Sequence, residues 1–208
     1  MNIDLQSLSS TQIYHLMTQT VIPRPIAWVL SRNNDDKRFD MLNLAPFSYF
    51  NAVSSDPPLC ILSMGKKPDG KVKDTAANLP VGAHCIVHIA SAENAKTVTA
   101  TAATLDYGVS ELEQNNIKTI DHENWLLPRI ENCPIAYYCK VHSTQDIGNA
   151  PQRLVFVEVL EVYVSDSVSK QDDNGRIVVD AMATNPLARL GANQYAILGS
   201  VLDNKRPK

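Results

Sequence analysis

Apolar residues along this chain gather in short runs separated by turn-forming residues. The runs at 25–31 (PIAWVLS), 58–64 (PLCILSM), 83–90 (AHCIVHIA), 135–144 (IAYYCKVHST), 153–164 (RLVFVEVLEVYV) and 176–181 (RIVVDA) are rich in Val, Ile, Leu and aromatics, with Pro, Gly, Asn and Asp at their borders. Such runs predict strands. The run 153–164 is apolar on both alternating faces for much of its length, which predicts a strand central to a closed or doubly covered sheet. Helical patterns are fewer. STQIYHLM predicts a short helix with Ser10 as N-cap. KDTAANLP (73–80) predicts another that stops at Pro80, and SAENAKTVTATAATL (91–105) and SELEQNN (110–116) form a helical insert. Strands and helices do not alternate as in a doubly wound fold. The expected architecture is mainly β, a barrel core with peripheral α-helices, built as one domain over 1–208.

Composition narrows the function classes. The chain has 208 residues, 44% apolar and 20% charged, which fits an ordinary globular protein. A net charge of −3 gives no field that favours nucleic acid or an anionic membrane, so neither is an expected partner. The stretch MNIDLQSLSSTQIYHL lacks a basic region followed by an apolar core, so no signal peptide is expected. The longest weakly charged stretch, 41–65, is broken by Pro46, Pro57 and Pro58 and does not read as a membrane span. A cytoplasmic location is expected. Cys60, Cys85, Cys133 and Cys139 form no C-x-x-C pair and read as reduced, buried thiols.

The usual catalytic signatures are missing. There is no G-x-G-x-x-G, P-loop, H-E-x-x-H or G-x-S-x-G pattern. His84 and His88 would share a helical face, but their segment reads as a strand, where four steps separate them by roughly 13 Å. No metal site and no side-chain catalytic group is expected. An enzyme with this sequence would rely on a cofactor for its chemistry.

Three segments look like parts of one site. In VIPRPIAWVLS (21–31), Pro23 fixes its own φ and Pro25 disfavours the helical region for Arg24, so that backbone is held extended. The arginine is either a preset guanidinium for an anion or a rim residue at a rigid strand entry. NLAPFSYFNAVSSDPP (43–58) is a nearly uncharged loop of amides, hydroxyls and aromatics. It suits a flat, polar-edged heterocycle, or else a buried barrel corner. GKKPDGKVKDTAAN (65–78) gathers Lys66, Lys67, Lys71 and Lys73 ahead of a helix start at Asp74–Thr75. That is a plausible phosphate site or a solvated face, with Asp74 better suited to capping than to touching a phosphate. Together they offer what flavin mononucleotide (FMN) needs: donors for its ring edge, a slot for its ring and cations for its phosphate.

PRPIAWV, NLAPFSYF, DPPL and KDTAAN stand in this order, and PLARLGANQYA (186–196) is similar to an RLGG-x-x-Y signature. On these residues the chain resembles the flavin reductase-like, FMN-binding split-barrel family, close to its flavoredoxin branch, from about residue 12 to about 197. The resemblance implies a split β-barrel, a homodimer and FMN near the subunit interface. It implies that Arg24, Ala27 and Trp28 lie beside the flavin ring, and that Asn43, Leu44, Ala45 and Ser48 contact ring and ribityl. It further implies Ser63, Lys73, Asp74 and Thr75 near the ribityl–phosphate end, Arg189, Leu190 and Tyr195 bordering the site, and the insert 91–116 over or near it. Two departures stand out: Ala192 replaces the second glycine of RLGG, and the glycine-free SRNNDDKRFDML (31–42) follows the first strand. The implied activity is an NAD(P)H-dependent flavin reductase, with hydride passing from NADH or NADPH to bound FMN. The alternative is a flavoredoxin-like electron carrier that exchanges electrons with protein partners. A redox protein or a monooxygenase is the implied protein partner.

Overall fold

The computed structural model describes residues 1–33, 41–106, 109–149, 151–205 and 207. In chain order the elements are α1 (Ser10–Thr20), β1 (Arg24–Pro25), β2 (Ala27–Arg32), β3 (Leu42–Phe47), β4 (Phe50–Ser55), β5 (Pro58–Met64), α2 (Asp74–Asn78) and β6 (His84–Ile89). The insert follows as α3 (Ala95–Ala100) and α4 (Glu111–Gln114), then the short β7 (Thr119–Ile120) and β8 (Arg129–Ile130). The chain ends with β9 (Ile135–Ile147), β10 (Gln152–Val164), β11 (Ser169–Gln171), β12 (Ile177–Val179), α5 (Ala181–Thr184), β13 (Ala188–Arg189) and β14 (Tyr195–Ala196).

Seven antiparallel strands form the main sheet in the order β3-β2-β6-β9-β10-β5-β4. Its two edge strands, β3 and β4, are consecutive in the chain and are joined by Ser48–Tyr49. The sheet therefore curls until its edges meet at that corner, and the seam is bridged rather than zipped by a ladder. Ser63 N–H on β5 donates to Tyr49 C=O at 2.9 Å beside it. This is a split barrel, mainly β with peripheral helices, as the sequence predicts.

Two cores explain why the strand sequences are apolar on both faces. Ala27 and Val29 of β2, Cys85 and Val87 of β6, and Cys139 and Val141 of β9 fill the barrel interior with Leu62, Val155 and Val157. The α2 residues Ala76 and Leu79, just past its end, close one mouth. Alternate residues Trp28, Leu30, Ile86, Ala136 and Tyr138 face outward and pack under the insert through Val98, Leu112, Trp125, Leu127 and Ile130. Strand alternation thus delivers two cores from one sheet. All four cysteines are free and buried.

Several expectations need correction. The segment 43–58 is not a loop: it forms β3 and β4, one on each edge, with the corner between them. β10 is interior in the sheet, but the end of its run is not covered within the chain: Leu160 and Val162 are 47% and 45% exposed. The α1 cap is Ser9, one residue earlier than Ser10, in a capping box with Gln12. The connection at 34–40 lies outside the described residues.

The histidine pair resolves as the strand reading requires. His88 is buried: Ile130 N–H donates to its Nε2 at 2.9 Å, and Nδ1 meets Trp28 C=O at 3.0 Å. That network assigns a neutral ring protonated at Nδ1, and burial lowers its pKa to about 4. His84 stacks on Tyr138 at 5.1 Å, Tyr138 on Trp125 at 5.3 Å, and Trp125 on His122 at 4.6 Å. These histidines hold the 122–130 segment against the sheet. Among the described residues no group of three His, Cys, Asp or Glu could hold a metal, and no helix is long and apolar enough to cross a membrane.

Candidate functional site

A groove runs along the barrel seam as three connected chambers. The first, about 90 Å³, is bounded by Asn43, Ala45, Pro46 and Phe47 of β3, by Lys67, Lys73, Asp74 and Thr75, and by Thr101–Leu105 and Glu111 of the insert. The second, about 310 Å³, shares Pro46, Phe47 and Lys73 with it and adds Tyr14, Ser48, Tyr49, Ser63, Gly65, Lys66 and Gln152. The third, about 420 Å³, shares Ser48, Tyr49 and Ser63 and continues over Pro23, Arg24, Pro25, Phe50 and Ile61. The last chamber is the more apolar one, and the lysines stand at the other end.

The cationic end is built on a very short helix. Five residues do not form a stable helix alone, so α2 depends on its side chains. Asn43 Nδ2 donates to Thr75 Oγ1 at 2.9 Å, tying α2 to β3. Asn78 Nδ2 donates to Asn33 Oδ1 at 3.0 Å and to Ser31 Oγ at 3.3 Å, tying it to the end of β2. Asp74 is not the cap. Lys73 occupies that position without a side-chain capping bond, and Asp74 instead pairs with Lys67 at 2.7 Å. The positive charge of the chamber therefore comes from side chains, not from a helix dipole. Lys73 lies 5.8 Å from the Phe47 ring centroid. Burial pushes its ammonium pKa down, Lys67 adds to the shift, and Asp74 opposes it. Among the described residues no carboxylate forms an ion pair with Lys73.

Glu111 had no signal in the sequence. It is 4% exposed and lines the first chamber. Leu44 N–H donates to its Oε2 at 2.9 Å, so the carboxyl covers a donor on the outer edge of β3. Burial raises its pKa and Asp74 adds to this, while hydrogen bonds from the backbone N–H groups of Leu44 and of Glu111 itself, together with Lys67, oppose. A lone acid in SELEQNN looks like a solvated helix face. Only the packing of α4 on β3 turns it inward, helped by Ser110 Oγ donating to Leu42 C=O at 2.7 Å. Tyr49 has its pKa raised by burial and by Tyr14, with Arg24 opposing.

Arg24 is 5% exposed and works as a clamp. Its Nη1 donates to Thr18 C=O and, at 2.8 Å, to Val21 C=O, both at the C-terminal end of α1. Nη2 donates to Leu190 C=O at 2.8 Å, and Nε to Ser48 Oγ at 3.3 Å. The guanidinium joins α1, the C-terminal motif and the barrel corner, and it satisfies helix-end carbonyls that would otherwise lack donors. Arg24 also pairs in register with Arg189 across β1 and β13.

The groove gathers Arg24, Asn43, Ala45, Ser48, Ser63, Lys73, Asp74 and Thr75. It does not gather Ala27, Trp28 or Leu44, whose side chains are fully buried in the two cores. Trp28 Nε1 donates to Thr101 Oγ1 at 2.9 Å and so supports the insert from behind. Arg189, Leu190 and Tyr195 frame the site from outside. Arg189 lies 4.7 Å from the Tyr195 ring, and Thr99 Oγ1 donates to Tyr195 Oη at 2.9 Å. Ala192 has φ +49°, the left-handed region in which glycine is favoured.

The chain has relatives among known proteins and structures. The model of the flavin reductase like domain matches residues 17–183. The chain is 32% identical to the uncharacterized protein YwrF of Bacillus subtilis, covering 96% of each. The structure of nitrilotriacetate monooxygenase component B from Bacillus cereus superposes with a TM-score of 0.86 at 29% identity, covering 98% of both chains. That of 2-nitrobenzoate 2-nitroreductase NbaA from Pseudomonas fluorescens superposes with a TM-score of 0.85 at 26% identity, covering 100% of this chain and 96% of that one.

Proposed function

Because the chain belongs to the flavin reductase-like domain family, we propose that it is an FMN-binding oxidoreductase that takes electrons from NADH or NADPH. The observation that carries this reading is Lys73, a half-buried ammonium with no ion-pair partner among the described residues, set where a narrow chamber meets a wide one. A desolvated cation in such a place calls for an anion, and a phosphate fits it. The residues present fit FMN: the charged end of the groove meets the phosphate, and the neutral wall of β3 and the corner meets the ring.

In this reading Lys73 and Thr75 hold the phosphate, with Lys67 and Asp74 neutralising each other beside it. Asn43, Ala45, Ser48 and Ser63 line the ribityl and ring positions. Arg24 fixes the corner through Ser48, and Arg189, Leu190 and Tyr195 hold the frame to which that clamp attaches. Bound FMN supplies a reversible hydride acceptor. The protein's part is to orient the ring, leave one face open to the nucleotide and limit water. This work requires no side-chain general base.

The names of the two structural neighbours, a monooxygenase component and a nitroreductase, support reductase activity over a permanent carrier role, and the first supports a monooxygenase as partner. We further propose that the whole chain acts as one domain in a cytoplasmic homodimer. The uncovered Leu160 and Val162 on β10 support the dimer, and four free thiols support the compartment. Flavin titration of the purified protein, followed by fluorescence, tests the cofactor reading. FMN is expected to bind more tightly than riboflavin, and Lys73→Ala to weaken FMN about 10- to 100-fold with little change for riboflavin. Equal affinity of wild type and Lys73→Ala for FMN contradicts the assignment of the phosphate end.

A further inference from the structure

The first chamber holds one more ionisable group than phosphate binding needs. Asp74 and Lys67 are paired at 2.7 Å. That leaves Lys73 and the Glu111 carboxyl in a space of about 90 Å³ bounded by β3, the start of α2 and the insert. Among the described residues the charged groups around Glu111 are Asp74, Lys67 and Lys73, and β3 contributes none. We propose that Glu111 takes up a proton when a phosphate monoester enters the chamber beside Lys73, so that retention of a phosphorylated flavin is proton-linked. This inference rests on the reading of the groove as a flavin site.

Charge confined to a small space beside a buried carboxyl drives this linkage. With both carboxyls ionised and both lysines protonated, the four side chains sum to zero. A phosphate monoester brings a charge near −2 at neutral pH. Its repulsion from an ionised carboxylate in the same chamber is strong where the effective dielectric is low. One proton on Glu111 removes that repulsion and turns the carboxyl from an acceptor into a donor. Burial, with Asp74, already shifts Glu111 toward its neutral form, against the backbone N–H groups of Leu44 and Glu111 and against Lys67, which favour the charged one. The Leu44 N–H needs only an acceptor oxygen, which a protonated carboxyl still offers.

The test is calorimetric titration of FMN into the full chain freed of flavin, at pH 8, in buffers of different ionisation enthalpy. Riboflavin is the control without phosphate. The second phosphate pKa is about 6, so at pH 8 the ligand does not itself change protonation. The expected result is uptake approaching one proton per FMN in wild type, none with riboflavin, and none for Glu111→Gln, whose amide oxygen can still accept from Leu44. The FMN Kd should rise with pH by up to about tenfold per unit in wild type and stay flat in Glu111→Gln. A second measurement uses wild type alone: a protonated-carboxyl band should appear in the infrared difference spectrum on adding FMN. FMN binding without proton uptake, uptake that persists in Glu111→Gln, or absence of that band overturns the inference and leaves the flavin site standing. Failure to bind either flavin overturns both.

Discussion

Arg24 shows what local sequence mechanics reach and where they stop. The flanking prolines do fix an extended arginine at a strand entry, and that much was legible. Its partners were not, because Leu190 lies 166 residues away and meets it only after the barrel has closed. Four of its five N–H groups go to protein oxygens. Arg24→Lys is therefore expected to cost about 2 kcal/mol or more, read as a lower urea midpoint, because one ammonium cannot reproduce the planar fork. Ala192 predicts the opposite sign. Its φ of +49° penalises a Cβ, so Ala192→Gly should add about 1 kcal/mol to unfolding stability. His88 gives a pH dependence. Its folded pKa of about 4 lies below the ordinary imidazole value of 6.5, so the unfolded chain binds the extra proton between those values. Its contribution is full above pH 6.5 and declines as pH falls, by about 2 to 3 kcal/mol by pH 4.5. His88→Gln should be less stable at pH 7 but lose less on acidification, as denaturant curves at both pH values would reveal.

At the scale of elements, the central strands were legible and the edge strands were not. β2, β6 and the first half of β9 bury both faces, so continuous apolar runs announce them. β3 and β4 sit on the seam, where one side meets the groove or solvent, and their Asn43, Asn51, Ser54 and Ser55 read as loop chemistry. Part of the polarity that hid these strands marks the groove, because Asn43 and Asn51 line it. α2 was legible as a helix start, yet its stability lies in Asn43–Thr75 and Asn78–Asn33 bonds that no local pattern encodes. The C-terminal motif has a packing role. A Cβ on Gly191 would lie 2.4 Å from Gln19 Cγ and 3.3 Å from Gln19 Cα, so glycine is what lets the motif approach α1. Gly191→Ala should push α1 outward and cost about 1 to 3 kcal/mol. The check is a lower thermal midpoint together with faster amide exchange confined to residues 10–20.

For the whole molecule, one curled sheet serves two cores, and its unzipped seam is the groove. The barrel interior fixes the inner wall, the insert packed on Trp28 and Leu30 fixes the outer one, and Arg24 ties the corner to α1 and the chain's C-terminal motif. Motif order disclosed the family and most of the groove. It could not disclose Glu111, whose inward turn depends on α4 docking against β3. The groove is proposed to hold FMN in a form that accepts hydride from a nicotinamide nucleotide. Anaerobic mixing of the FMN-loaded protein with NADH or NADPH is the decisive experiment. Rapid bleaching of the oxidised-flavin absorbance is expected with at least one of the two. A flavin spectrum unchanged by both nucleotides, in protein whose bound FMN a chemical reductant still bleaches, would contradict it.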